Sequence, residues 1–240
     1  MDDLSKIQVQ TNQVLVMIIE PSLTPINRVF LEKGIEYIVP EIPVNKLFTG
    51  NPVLDYNNPF LENKLLEMVK RIKPNVIHIH TIAGVSSRII PMFEEQGFRT
   101  IIHLHDYLVV CPRMDLYFRE QQYCYTAGHN CSACLETVFS DSEYQKRLRE
   151  NIRNYNQSSQ IIAVSFFQVN ILKKYGLDLK KCQVIPNGVA DFLQYCPNVL
   201  NTVYKKDKLR VIHISSCSPK KGVFFLVRAV LGLPKDIKHS

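Results

Sequence analysis

The stretch RTIIHLHDYLVVCPR, Arg99 to Arg113, decides the fold. Its first half is a short apolar run rich in β-branched residues that opens after Gly97, the pattern of a strand buried on both faces. His105 and Asp106 fall where such a strand ends. In open α/β sheets ligands gather in the crevice beyond the carboxyl ends of the strands, so this imidazole and carboxylate are candidate site residues. His103, inside the strand, is assigned to the core as a satisfied histidine.

Working outward, the preceding strand is Val76 to Ile79 in KPNVIHIH, whose alternation sends His78 and His80 to one face and Ile77 and Ile79 to the other. His78 is assigned to the core. His80, nearest the strand end, is left between core and site, and Gly84 lets the backbone turn close to a ligand. A helix over Leu61 to Ile72 packs Leu61, Leu65, Met68, Val69 and Ile72 as one stripe and stops at Pro74. Between the two strands, Val85 to Gln96 reads as a helix kinked at Pro91 and closed by Gly97. Earlier still, Val14 to Ile19 is a strand, Ile26 to Lys33 a short helix ended by Gly34, and Ile35 to Val39 a second strand. Pro40, Pro43, Pro52 and Pro59 make the segment after it an irregular loop.

Downstream of Arg113, Asp141 or Ser142 caps a helix through Tyr155. Tyr144, Leu148, Ile152 and Tyr155 form its buried stripe, and Lys146, Arg147, Arg149 and Arg153 face outward. Ile161 to Val164 is the next strand, followed by Ser165 as N-cap of a helix over Phe166 to Tyr175 that ends at Gly176. Such a helix aims free N–H groups at the crevice, which suits a phosphate or carboxylate. Cys182 to Ile185 gives a further strand, and Pro186-Asn187-Gly188-Val189 a tight turn out of it. Ala190 to Lys208 has the mixed polar composition of a linker. Leu209 to Ile214 then starts a new strand, and SSCSPKKG leads into a helix over Val223 to Leu231, which restarts the α/β alternation.

The chain has 240 residues, 46% of them hydrophobic and 21% charged, enough for a substantial core and unlike a disordered composition. A net charge of +7 suits an anionic substrate, a nucleotide or an acidic membrane face. The basic residues are scattered, which argues against a nucleic-acid module. VLVMII at Val14 to Ile19 is too short to span a bilayer and the opening lacks a basic signal region, so a cytoplasmic location is expected. The basic face of the Asp141 to Tyr155 helix would serve a peripheral contact with anionic headgroups at the inner membrane face.

Seven cysteines is an odd number and argues against a closed disulfide framework. Cys111, Cys124, Cys131 and Cys134 lie in a long insertion, residues 107–137. Four thiolates, or three with the imidazole of His129 two residues before the Cys131–Cys134 pair, would supply a structural zinc site pinning that loop, with buried thiols or one redox-sensitive pair as the alternative. Nothing in the loop argues for an open, catalytic coordination position.

Taken together, KPNVIHIH, IIHLHDYLVVCPR, IIAVS at Ile161 to Ser165, VIPNGV at Val184 to Val189 and SPKKG at Ser218 to Gly222 resemble the retaining GT-B glycosyltransferases of family 4. The resemblance implies an α/β fold of two Rossmann-like domains, the first facing the acceptor and the second holding the nucleotide sugar. On this chain residues 1–200 would be the first domain, and 201–240 the linker and start of the second. The family's carboxyl-terminal domain carries two glutamates eight positions apart, a spacing this sequence lacks, so a truncated donor domain is expected. Carried over by position, His105, with Asp106 beside it, would reach the donor sugar, and Lys221 would meet the donor diphosphate. Ser165, Asn187, Gly188, Ser216 and Gly222 would line the nucleotide side. The implied substrates are a UDP- or GDP-sugar and a lipid-linked or polysaccharide acceptor, with no catalytic metal. The alternative is a non-catalytic acceptor-binding subunit or remnant, completed by a separate chain that supplies the donor half.

Overall fold

A computed structural model describes residues 8, 10, 12–21, 27–119, 122–188 and 211–234. The chain divides into two compact units, Met1–Leu116 with Tyr125–Asn187, and Tyr117–Cys124 with Gly188–Ser240. The expected linker, Ala190 to Lys208, lies outside the described residues.

The heart of the first unit is a parallel four-stranded sheet of β4 (Val76–Ile79), β5 (Arg99–Leu104), β8 (Gln160–Ala163) and β9 (Cys182–Val184), in that spatial order. Each connection carries a helix, as parallel pairing demands. These are α2 (Ile89–Glu95) between β4 and β5, α4 (Asp141–Tyr155) between β5 and β8, and α5 (Phe166–Lys173) between β8 and β9. Ahead of β4 runs α1 (Pro59–Ile72), whose buried residues Leu61, Leu65 and Val69 are those the 3.6-residue period selects. Asn58 caps it, and the buried carboxylate of Glu62 accepts from the Asn58 N–H at 2.7 Å and from Ser86 Oγ at 2.6 Å.

A second sheet, ordered β1-β3-β2, joins β1 (Leu15–Met17) in parallel and β2 (Arg28–Glu32) antiparallel to β3 (Ile35–Val39). The segment expected as a helix, Ile26 to Lys33, is therefore strand β2. Lys33 and Gly34 both take positive φ, 52° and 80°, which closes a two-residue hairpin whose twist matches its strands. Phe30 and Tyr37 stack across it with ring centroids 4.9 Å apart. Helix α2 starts at Ile89 rather than Val85. Pro91 thus sits in its first turn, where a missing N–H costs nothing, and no kink is needed.

Helix α4 departs from expectation in the way that matters most. Ser140 is its N-cap, with Glu143 completing a reciprocal capping box. Lys146, Arg149 and Arg153 are exposed as expected, but Arg147 is 1% exposed. Its guanidinium ion-pairs with Asp55 and donates to the Leu108 carbonyl at 2.9 Å. Beside it, Asn151 donates to the Val109 carbonyl and accepts from Ser87 Oγ, which Asn154 also reaches. A hydrophobicity period cannot see this seam because its members are polar.

In the second unit β6 (Tyr117–Phe118) and β7 (Gln122–Tyr123) pair antiparallel, and α6 (Val223–Leu231) follows a 3-10 turn over Pro219–Lys221. Residues 211–214, part of the strand expected from Leu209, carry no ladder pairing and are exposed. Among the described residues they have no neighbouring strand to receive them, and an unpaired strand has no stability of its own. Asn187 and Gly188 are exposed, and neither has the positive φ that a tight turn there would use.

Asp55→Ala strands the Arg147 charge in the interior. It lowers the unfolding free energy by roughly 3 kcal/mol, whereas Arg147→Met combined with Asp55→Ala recovers most of that loss. Urea unfolding followed by circular dichroism reads both.

Candidate functional site

Strands β4 and β5 run parallel with His78 opposite Ile101 and Ile79 opposite Ile102. Side chains alternate between faces, so both His-x-His pairs emerge on the same side of the sheet. The consequence is a cluster of four imidazoles. Ring centroids lie 4.2 Å apart for His78–His80, 5.2 Å for His80–His103, 4.3 Å for His103–His105 and 5.2 Å for His80–His105. Strand β5 is not buried evenly: Thr100, Ile102 and Leu104 are buried, while Ile101 and His103 on the imidazole face are half-buried.

The cluster is graded from dry to wet. His105, just beyond the carboxyl end of β5, is exposed, and its Nε2 lies 2.9 Å from His80 Nδ1. One of these nitrogens donates and the other accepts, so His80 orients the ring of His105 and fixes its tautomer. Deeper in, His78 Nε2 and both ring nitrogens of His103 are buried with no hydrogen-bond partner among the described residues. His103 is thus not the satisfied core histidine expected, and buried atoms left in this way each carry a desolvation cost of about 1–3 kcal/mol. Burial, reinforced by the neighbouring imidazoles, pushes the pKa of His80 and of His103 down to about 4, and burial with His105 nearby lowers that of His78. These rings are neutral at pH 7.

A pocket lies over the carboxyl ends of the strands, lined by His80, His103, His105, Asp106, Val109 and Tyr155 among others. Asp106 uses its carboxylate to accept from the Leu108 N–H at 2.7 Å and so shapes the turn out of β5. Gln168, missed in the sequence, ties the pocket together. It is buried, its Nε2 donates to the Asp106 carbonyl at 2.9 Å, and its Oε1 accepts from the Val164 N–H. Ser165 caps α5 as expected, accepting from the Gln168 N–H. The first turn of α5 is therefore hydrogen-bonded to the His105–Asp106 turn. Gly84 does bring the backbone close to something, but that something is Phe48. A Cβ on Gly84 would stand 3.0 Å from the Phe48 ring.

Ser216, Lys221 and Gly222 belong to the second unit, with Ser216 and Lys221 exposed and Gly222 at φ 77° opening α6. Among the cysteines, Cys111 and Cys131 are buried and Cys124 and Cys134 half-buried. Among the described residues no three cysteines gather at ligating distance. The insertion is held instead through Asp141, whose carboxylate accepts from the N–H groups of Asn130 and Ser132 and from Ser132 Oγ. This fastens the start of α4 to the short helix α3 (Cys131–Leu135) that carries the C-x-x-C pair.

As pH falls from 6.5 toward 4, an unfolded chain binds protons that His80 and His103 refuse when folded. Their contribution to stability is therefore intact above 6.5 and is lost as the pH drops through that window. Urea unfolding across pH shows the slope, and His80→Gln with His103→Gln flattens it.

The profile of Glycosyltransferase Family 4 matches residues 23–191. No curated protein matches the chain. Among solved structures, the Anabaena protein Alr3699/HepE in complex with UDP is 18% identical at a TM-score of 0.45, covering 73% of this chain and 41% of its own. The same protein in complex with UDP and glucose is 18% identical at a TM-score of 0.44, covering 84% of this chain and 45% of its own. The chain thus spans less than half the length of those structures. The profile covers the two His-x-His strands, the pocket and the helices that frame it, and the chain belongs to glycosyltransferase family 4.

Proposed function

We propose that this chain is the acceptor-side half of a GT-B glycosyltransferase that moves a sugar, with retention, from a UDP- or GDP-sugar to a lipid-linked or polysaccharide acceptor. Family membership supports the reaction class. The observation that carries the site is His105, the exposed end of an otherwise half-buried imidazole cluster, oriented by His80 and bordering the pocket with Asp106. A ring held in one orientation can hydrogen-bond a sugar hydroxyl without first reorganising.

In the transfer, the bond from the anomeric carbon to the diphosphate breaks and its electron pair leaves with the nucleoside diphosphate. The acceptor hydroxyl forms the new bond on the same face and passes its proton to an oxygen of the departing diphosphate. Negative charge builds on the departing oxygens, where a cation and oriented N–H groups lower the barrier. In this reading Lys221 supplies the cation, and Ser216 and Gly222 shape the loop that presents it. Ser165, Asn187 and Gly188 border the nucleotide. The exposed Lys146, Arg149 and Arg153 would lie against anionic headgroups if the acceptor is lipid-linked.

The test is transfer from labelled UDP- and GDP-hexoses, with the chain assayed alone and with any polypeptide that co-purifies. His105→Ala lowers kcat by about 100-fold or more with Tm unchanged. Unchanged kcat in that variant removes His105 from the reaction. Acceptor binding without turnover under every condition supports the non-catalytic subunit instead.

A further inference from the structure

His105 has a role in the proposed transfer and His80 orients it; His78 and His103 have none. One ring nitrogen from each of these three lies within 4.8 Å of those of the other two. Among the described residues this is the sole gathering of three or more histidine, cysteine or carboxylate side chains. Three of the six ring nitrogens concerned, His78 Nε2 and both of His103, are buried and make no hydrogen bond. A buried lone pair without a donor calls for an electrophile, and neutral imidazoles offer lone pairs.

We propose that His78, His80 and His103 bind one divalent transition-metal ion of the zinc class. Three nitrogens and no carboxylate is a donor set for zinc, cobalt, nickel or copper and a poor one for magnesium or calcium. Two ligands come from alternate positions of β4 and one from the adjoining strand, so the backbone holding them is a hydrogen-bonded sheet rather than a loop. Tetrahedral zinc with bonds of about 2.0–2.1 Å sets its nitrogens about 3.3 Å apart. The rings close that gap by turning about χ2, a soft torsion for histidine. His80 Nδ1 is already held by His105, as outer partners hold ligating histidines elsewhere. Three protein ligands leave one position for water or a substrate oxygen. The ion would fasten β4 to β5 beside His105. The site is distinct from the cysteines of the insertion, of which no three gather at ligating distance among the described residues.

The test uses the untagged 240-residue chain, stripped with a chelator, titrated with Zn²⁺ by calorimetry and with Co²⁺ by absorption. One equivalent of Co²⁺ is expected to give d–d bands with no thiolate charge transfer, and one equivalent of either ion to raise the Tm. His78→Gln and His103→Gln each weaken binding by at least ~100-fold, and His105→Gln by about 10-fold. His129→Gln, which lies outside the cluster, leaves it unchanged. A wild-type Tm unmoved by both ions overturns the proposal whether or not the variants fold. So does a thiolate band at one equivalent, or tight binding that survives both His78→Gln and His103→Gln. No nucleotide sugar enters the titration, so failure here leaves the transferase reading standing, and absence of transfer leaves the metal site standing.

Discussion

A cation in the interior must bring its own partners, and the guanidinium of Arg147 organises the first unit by that requirement. It is buried to 1% exposure on a helix whose other basic residues face solvent. Its ion pair with Asp55 reaches back to the loop before α1, and its bond to the Leu108 carbonyl reaches forward to the turn after Asp106. The Asp55 carbonyl in turn accepts from the Ser87 N–H, and Ser87 Oγ meets both Asn151 and Asn154. One polar seam thus links the loops that follow β4 and β5 to a single helix. Unlike apolar packing, a seam of this kind tolerates few alternatives, since each broken bond leaves a buried polar atom unpaired. The wall of the pocket is positioned by α4.

The floor of the pocket is set by something else, the register of a parallel pair. Once Ile79 is opposite Ile102, the two His-x-His segments must present their rings on one face, side by side at the carboxyl ends. Four imidazoles could not all be charged at such spacing. Burial and mutual repulsion favour the neutral form of His78, His80 and His103. The carboxylate of Asp106 is already committed to the Leu108 N–H.

The parts of this design that follow from local rules were readable in the sequence. Ile35–Val39, Val76–Ile79 and the strand opening at Arg99 come directly from β-branched runs bounded by Gly and Pro. Ser165 comes from capping chemistry, whereas the cap read at Asp141 or Ser142 falls at Ser140. What could not be read depends on pairing between distant segments. Arg147 looks like its neighbours Lys146 and Arg149 until Asp55, far away in the chain, supplies a partner. Residues 28–32 pass for a helix until β3 offers them an edge, because Lys33-Gly34 is a weaker hairpin signal than Asn-Gly. His78 and His103 each read as core residues when taken alone, because the contact between their rings exists only once the two parallel strands lie side by side. Gln168 gave no signal at all, being one more polar residue near a helix start until its amide is found between two backbones.

The two roles given to the histidines follow from one gradient. Hydrogen bonding to a sugar needs a ring that water and substrate can reach, with one nitrogen spoken for so that the other has a defined character. His105 meets both conditions through its exposure and its contact with His80. Metal binding needs the reverse, lone pairs withdrawn from water and from competing donors, and His78 Nε2 and both nitrogens of His103 meet that condition, being buried without a hydrogen-bond partner among the described residues. His80 stands between the two, half-buried, with its Nδ1 held by His105 and its ring beside those of His78 and His103. A change at His80 would therefore be felt in both places, through the tautomer of His105 and through the third ligand of the ion.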